Sequence, residues 1–285
     1  MTRICWARPA WLWTRRPAGD SQGVLWFKML DSEVALSASQ YRERISEVLT
    51  AIWTTQTANI EKAAEMMAAA IEQRGLVHFF GSGHSVIPVL DVFPRYGSFP
   101  GFRPLMDARL MWSNVIGSGG AKGLLWLERR EGYAPVLFEN EPIRAGDVML
   151  VFSHGGLNAV GIEVAMEARR RGLKTVAVTS LDNYRKREAT HSSGKKLADV
   201  ADLVIDNCVP AEDSLVKIEG WKAPVAAGST VAAVTIAMAL VAQVAAQLAR
   251  RGLRPPVFVS PNVPGIPADN NAQVYLEYER SLARS

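Results

Sequence analysis

Between residues 37 and 74 apolar side chains recur at helical spacing: Ile45, Leu49, Ile52, Ile60, Ala64, Met67 and Ile71 fall three, four or eight positions apart. The pattern predicts one long amphipathic helix or two, closed by Gly75. It then changes character. LVHFF (76–80), VMLVFS (148–153), KTVAVTS (174–180) and LVIDN (203–207) are short apolar runs, as expected of parallel strands buried on both faces. Between the second and third of these runs, Val160, Val164 and Ala168 repeat every four residues before Gly172. That strand–turn–helix–strand unit is a βαβ crossover, which requires a parallel pair and a right-handed connection. The Pro-, Gly- and aromatic-rich stretch 91–106 reads as an ordered loop, 108–117 as a further strand, and 132–143 as a weakly determined helix. The polar stretch 181–196 reads as a solvated loop, followed by a short helix over LADVAD. A last helix spans 228–252, with Ser229 and Thr230 as N-caps and Gly252 closing it. The fold class is therefore α/β, a doubly wound parallel sheet. No repeat at solenoid spacing is present.

Helix 228–252 is apolar enough to raise a membrane-spanning reading, but it is alanine-rich, carries Gln243 and Gln247 and sits inside an α/β pattern. A packed helix, with no membrane partner, is the expectation. Charge changes the picture further. The formal net charge of +4 resides in residues 1–28, where Arg3, Arg8, Arg15, Arg16 and Lys28 face only Asp20, so the rest of the chain is formally neutral. A basic footprint for nucleic acid is thus missing from the fold. The same 28 residues hold four of the eight tryptophans without periodicity, and Pro9, Arg15, Arg16 and Pro17 interrupt any signal-peptide core. They read as a disordered leader or as a start assigned ahead of Met29. Cys5 and Cys208 lack disulfide or zinc spacing, which fits a reducing cytoplasm.

Two strands run into turns rich in glycine and hydroxyls, GSGHS (81–85) and SHGGLN (153–158), and GST (228–230) opens a third helix. Glycine lets backbone amides approach an anion, and the positive end of a helix dipole favours it there. Small residues also serve tight strand-to-helix packing, but two such loops together favour an anion site. GSGHS lacks the third glycine of a dinucleotide fingerprint, and no Walker A lysine follows any of the loops.

GSGHS continuing into FPRYGSFPGF, VMLVFSHGGLNAVGIEVAMEARRRGLKTVAVTS, HSSGKKLADVADLVIDN and PPVFVSPNVPG together resemble the sugar isomerase (SIS) domain superfamily, in particular its UPF0309 branch. The likeness covers roughly residues 37–280, setting one SIS domain at 29–285 behind the 1–28 leader. It implies a five-stranded, flavodoxin-like parallel sheet flanked by helices, a homodimer or homotetramer, and a phosphorylated sugar over the strand C-termini. Position by position it implies Ser82 and Ser85 as ligands with Gly81 and Gly83 allowing approach, and Ser153, Gly155, Gly156 and Asn158 on the second loop. Ser229 and Thr230 join them from the third. Where the branch commonly reads SNSGRN, this chain has Gly155 for a serine and Leu157 for an arginine, and Asn270 stands near a usual histidine.

The chemistry shared by sugar-phosphate isomerases and etherase-type lyases is removal of the proton beside the carbonyl of an opened sugar, which needs a carboxylate or imidazole as base. The candidates are Asp91, where related lyases keep an acid, His84 within the first loop, and Glu65, which shares a helix face with Glu61 as a solvated stripe would. His78 reads as a satisfied core residue, and His154 and His191 as exposed loop residues. No metal site and no cofactor are expected. The functional reading is a hexose or N-acetylhexosamine 6-phosphate isomerase or lyase; the alternative is a non-catalytic sensor of the same ligand.

Overall fold

A computed structural model of the chain describes residues 21–283 apart from 113 and 118. The expected leader lies mostly outside these residues, and its last part, 21–28, belongs to the first helix. The helical pattern resolves into two helices, α1 (Ser21–Thr55) and α2 (Thr57–Glu72). The chain leaves α2 through Arg74 at φ 60°, so the left-handed residue precedes Gly75. Strand β1 (Val77–Gly81) follows, then a 3₁₀ turn (Gly83–Ser85), α3 (Val86–Leu90) and β2 (Phe102–Leu105). Next come α4 (Ala121–Leu127), α5 (Tyr133–Phe138), β3 (Val148–Phe152), α6 (Ala159–Arg170) and β4 (Lys174–Thr179). The chain continues through α7 (Leu181–Lys186), α8 (Leu197–Val200) and β5 (Leu203–Asp206). A hairpin of β6 (Ser214–Val216) and β7 (Val225–Ala227) leads to α9 (Ser229–Arg250) and α10 (Asn270–Leu282).

The main sheet has the order β2-β1-β3-β4-β5, and every pairing in it is parallel. Alternation along β3 shows how it is covered. Val148, Leu150 and Phe152 enter one core with α2, α3 and α9, while Met149 and Val151 enter the other with α5 and α6. Both faces are buried, hence the uninterrupted apolar strands. The apolar helix α9 packs on α2, with Ile236, Leu240, Val244 and Leu248 fully buried, each contributing about 1.5–3 kcal/mol.

Two sequence expectations are corrected. The second strand is Phe102–Leu105, inside the stretch read as loop, whereas the described residues of 108–117 form only a 3₁₀ turn at Ala108–Leu110 and an isolated bridge at Asn114. β2 is an edge strand, and an edge tolerates Pro104 because the missing N–H can fall on the unpaired side. The polar stretch 181–196 begins with α7, whose cap is Ser180: its hydroxyl accepts from the Asn183 N–H.

Candidate functional site

Strand order reverses between β1 and β3, because the chain steps to β2 on one side of β1 and returns to build β3 on the other. A crevice opens at the C-terminal ends of strands at such a point. The loops after β1 and β3 therefore face one another. Between them lies a narrow cleft lined by His84, Ser85, Ser153, His154, Asn207, Ser229 and Thr230.

The first loop is shaped by two glycines. A Cβ on Gly81 would stand 2.1 Å from the Ser85 carbonyl oxygen, and Gly83, at φ +60°, lies beneath the Trp112 indole. That indole also packs on the His84 ring, centroids 5.0 Å apart. In the second loop the Gly156 N–H donates to Ser153 Oγ at 3.1 Å. Gly156 takes φ +62° against Thr179, while Gly155 has open space around it.

His154 is held in one tautomer. Val209 N–H donates to Asn207 Oδ1, which fixes that amide so that Asn207 Nδ2 donates to His154 Nδ1 at 3.2 Å. The ring proton is thereby placed on Nε2, a buried donor with no protein partner. His154 is not the solvated loop residue its sequence context suggests. The third helix start also differs from expectation: Gly228 is the N-cap of α9, and the Ser229 hydroxyl donates to Asp213 Oδ2 at 2.8 Å. Asp213 also accepts from the Gly228 and Ser229 amides, so a carboxylate of the chain already occupies the end of α9.

Behind both loops lies Glu128, just past α4 and only 6% exposed. Ser82 Oγ donates to its Oε2 at 2.9 Å, and Asn158 hydrogen-bonds to the same carboxyl. Burial pushes the Glu128 carboxyl above its ordinary value, against smaller opposing effects of Ser82, Arg129 and Asn158. No spacing in the sequence singles it out: in LERREG it reads as one more charge at a helix end. Asn207 was equally invisible, since its partner is 53 residues away.

The other candidates are placed elsewhere. Asp91 follows α3 and pairs with Arg95 one turn on. Glu65 pairs with Arg251, beyond the far end of α9, and Glu72 shares that arginine. Neither carboxylate lines the cleft, and Glu128 is not among its lining residues either; what sets Glu128 apart is that Ser82 and Asn158 tie it to both loops. His78 is fully buried with Nε2 2.9 Å from Asp147 Oδ2, a core pair, as its place in a strand suggested. From outside, Thr190 Oγ1 donates to the Leu157 carbonyl and Leu197 N–H to the Gly156 carbonyl, so the segment between α7 and α8 braces the second loop.

A parallel sheet in this order, with glycine- and hydroxyl-rich loops meeting at its switch point, defines a SIS-domain protein, and the SIS domain family model matches residues 40–180. Within that class the chain belongs to the UPF0309 family. It is 35% identical over 238 residues to the UPF0309 protein of Geobacillus thermodenitrificans, covering 84% of this chain and 93% of that one. It is also 35% identical over 221 residues to a UPF0309 protein of Listeria monocytogenes serotype 4b, covering 78% and 87%. Among solved structures it is similar to a phosphoheptose isomerase from Neisseria gonorrhoeae, with TM-score 0.48 and 18% identity over 76% of this chain and 99% of that one.

Proposed function

We propose that the cleft binds a phosphorylated sugar of the hexose or N-acetylhexosamine 6-phosphate class and that Glu128 moves the proton beside the carbonyl of the opened sugar. The observation that carries this reading is Glu128 itself, a buried carboxyl of raised pKa tied by Ser82 to one loop and by Asn158 to the other. A base works best when its pKa lies near the working pH, and burial moves Glu128 in that direction. Ser85, Ser153 and Thr230 offer hydroxyls to the phosphate, with His84 at the mouth of the cleft. The His154 Nε2–H is an unused donor, suited to the oxygen on which charge develops. As Glu128 takes the proton, the C–H electrons form an enediolate. Returning the proton to the neighbouring carbon isomerises the sugar; expelling a substituent one carbon further on eliminates it.

Assembly as a homodimer or homotetramer belongs to the same reading and is supported by the adjacent apolar side chains of Val115 and Ile116, 74% and 81% exposed. Light scattering on the purified protein measures it.

The decisive experiment incubates the protein with a panel of hexose and N-acetylhexosamine 6-phosphates in deuterated water under proton NMR. Wild type should exchange the proton beside the carbonyl, and Glu128→Gln should lower that rate by roughly 10²–10⁴-fold while still binding ligand. Asp91→Asn, which breaks only a pair with Arg95, should stay within a few-fold of wild type. Loss of exchange in Asp91→Asn but not in Glu128→Gln would reverse the assignment. Ligand that stabilises the fold without any exchange would assign a binding role alone.

A further inference from the structure

We propose that Glu131, Glu163 and His191 form a site for one divalent first-row transition cation of the Zn²⁺ class, which fastens the segment between α7 and α8 onto the helices beside the cleft. Their ligand atoms all lie within 4.8 Å of one another. Glu131 stands just past α4, Glu163 on α6 and His191 in the segment that follows α7. The three are about thirty residues apart in sequence, so no ligand spacing announces them, and a metal site was not expected from the sequence.

The imidazole supplies the argument. The His191 side chain is only 7% exposed, and its buried Nε2 has no hydrogen-bond partner. It points between two carboxylates, 3.7 Å from Glu163 Oε1 and 3.9 Å from Glu131 Oε2. Both separations are too long for hydrogen bonds. Ligand atoms each about 2.0–2.2 Å from one ion lie about 3.4 Å apart at a tetrahedral angle, so the imidazole has to close on each carboxylate by only a few tenths of an ångström, while the two carboxylate oxygens, within 4.8 Å of one another, draw together on the ion.

The surrounding groups hold the ligands as a metal site needs. The Ser192 N–H and hydroxyl donate to the two oxygens of Glu131 and so orient that carboxylate. Glu163 accepts from the Gly132 and Ala134 amides. Among the described residues neither carboxylate pairs with Lys or Arg, so two negative charges meet one imidazole. Ser193 Oγ lies 2.8 Å from His191 Nδ1 and can accept its proton, freeing the Nε2 lone pair for the ion. The Ser193 N–H also reaches Nδ1, at 3.1 Å, and has to turn away when the ion binds. One imidazole and two carboxylates suit Zn²⁺, Mn²⁺ or Fe²⁺ better than Ca²⁺ or Mg²⁺. Glu131, the most exposed of the three, leaves a path for the ion and room for water. Because Thr190 and Leu197 brace the second loop, an ion at His191 would stiffen the wall of the cleft without entering it.

The test uses the full chain without an affinity tag, stripped with chelator, desalted and titrated calorimetrically with Zn²⁺ in the absence of any sugar phosphate. One equivalent should bind, with a rise in Tm. His191→Ala should abolish binding at that stoichiometry, and Glu131→Gln or Glu163→Gln should weaken it by at least about tenfold. Zinc-edge absorption should show nitrogen and oxygen ligands only. No saturable binding, unchanged affinity in His191→Ala, or sulfur in the coordination shell overturns the proposal. Glu131→Gln, at the exposed position, keeps the test decisive if His191→Ala fails to fold.

Discussion

Glu128 sits where burial and hydrogen bonding oppose one another, and burial wins. The folded protein therefore holds the Glu128 proton to a higher pH than the unfolded chain does. Its contribution to stability is complete below the unfolded carboxyl's pKa and is lost as pH rises through the higher folded value. Glu128→Gln removes that dependence. Compared across about pH 4 to 8, the Tm of the variant should gain on that of wild type toward neutral pH, and parallel profiles would contradict the assignment. The loop glycines make a second pair of expectations. Gly156 holds φ +62°, and a Cβ there would come within 2.8 Å of Thr179 Oγ1, so Gly156→Ala should cost about 1–3 kcal/mol in urea unfolding. Gly155 has nothing within 4 Å of an added Cβ, so Gly155→Ser should shift stability by less than about 0.5 kcal/mol while adding a hydroxyl beside the cleft. Equal losses at the two positions would mean that the loop is not shaped as described.

At the scale of elements, the end of α9 is closed by Asp213, which immediately precedes β6 and accepts from two amides and the Ser229 hydroxyl. Asp213→Ala should cost about 1–2 kcal/mol, as loss of a helix cap does, and a denaturant midpoint within error of wild type would refute that role. The sequence carries the buried strands and the helices α6 and α9 plainly, because burial on both faces or on one stripe leaves an unmistakable pattern. β2 escapes it, since Pro104 marks a loop unless the strand is known to lie at an edge. The site divides the same way. Gly81, Gly83 and Gly156 are legible because backbone conformation is a local demand. Glu128 and Asn207 are not, because Ser82 reaches Glu128 across 46 residues and His154 reaches Asn207 across 53, and only the tertiary fold makes them neighbours. His191 fails for a further reason: a polar, serine-rich context hides a side chain that folds inward.

Across the whole molecule, the two ends of the sheet do different work. Arg251, Glu65 and Glu72 form their ion pairs beyond the C-terminus of α9, a helix about 33 Å long whose other end lines the cleft. At the other end the cleft is walled by hydroxyls, amides and imidazoles, with the Asp213 and Glu128 carboxylates held behind that wall by hydrogen bonds. Such a wall solvates an anion without supplying a fixed positive charge. Affinity must then come from oriented neutral donors such as the His154 Nε2–H, each weaker than a charge-assisted bond. On the proposed function the ligand should need its phosphate yet bind it with little sensitivity to salt. A sugar phosphate at a hundred times its Kd adds about 2.7 kcal/mol to the folded state by mass action, which in a chain of this size raises Tm by about 5–10 °C. The corresponding free sugar at equal concentration should raise it far less, and the difference should survive an increase in salt from about 0.05 to 0.3 M, over which screened surface attraction would fade. Equal shifts for sugar and sugar phosphate would remove the anion from the reading. A shift that vanishes with salt would move the anion out of the cleft and onto the exposed basic side chains.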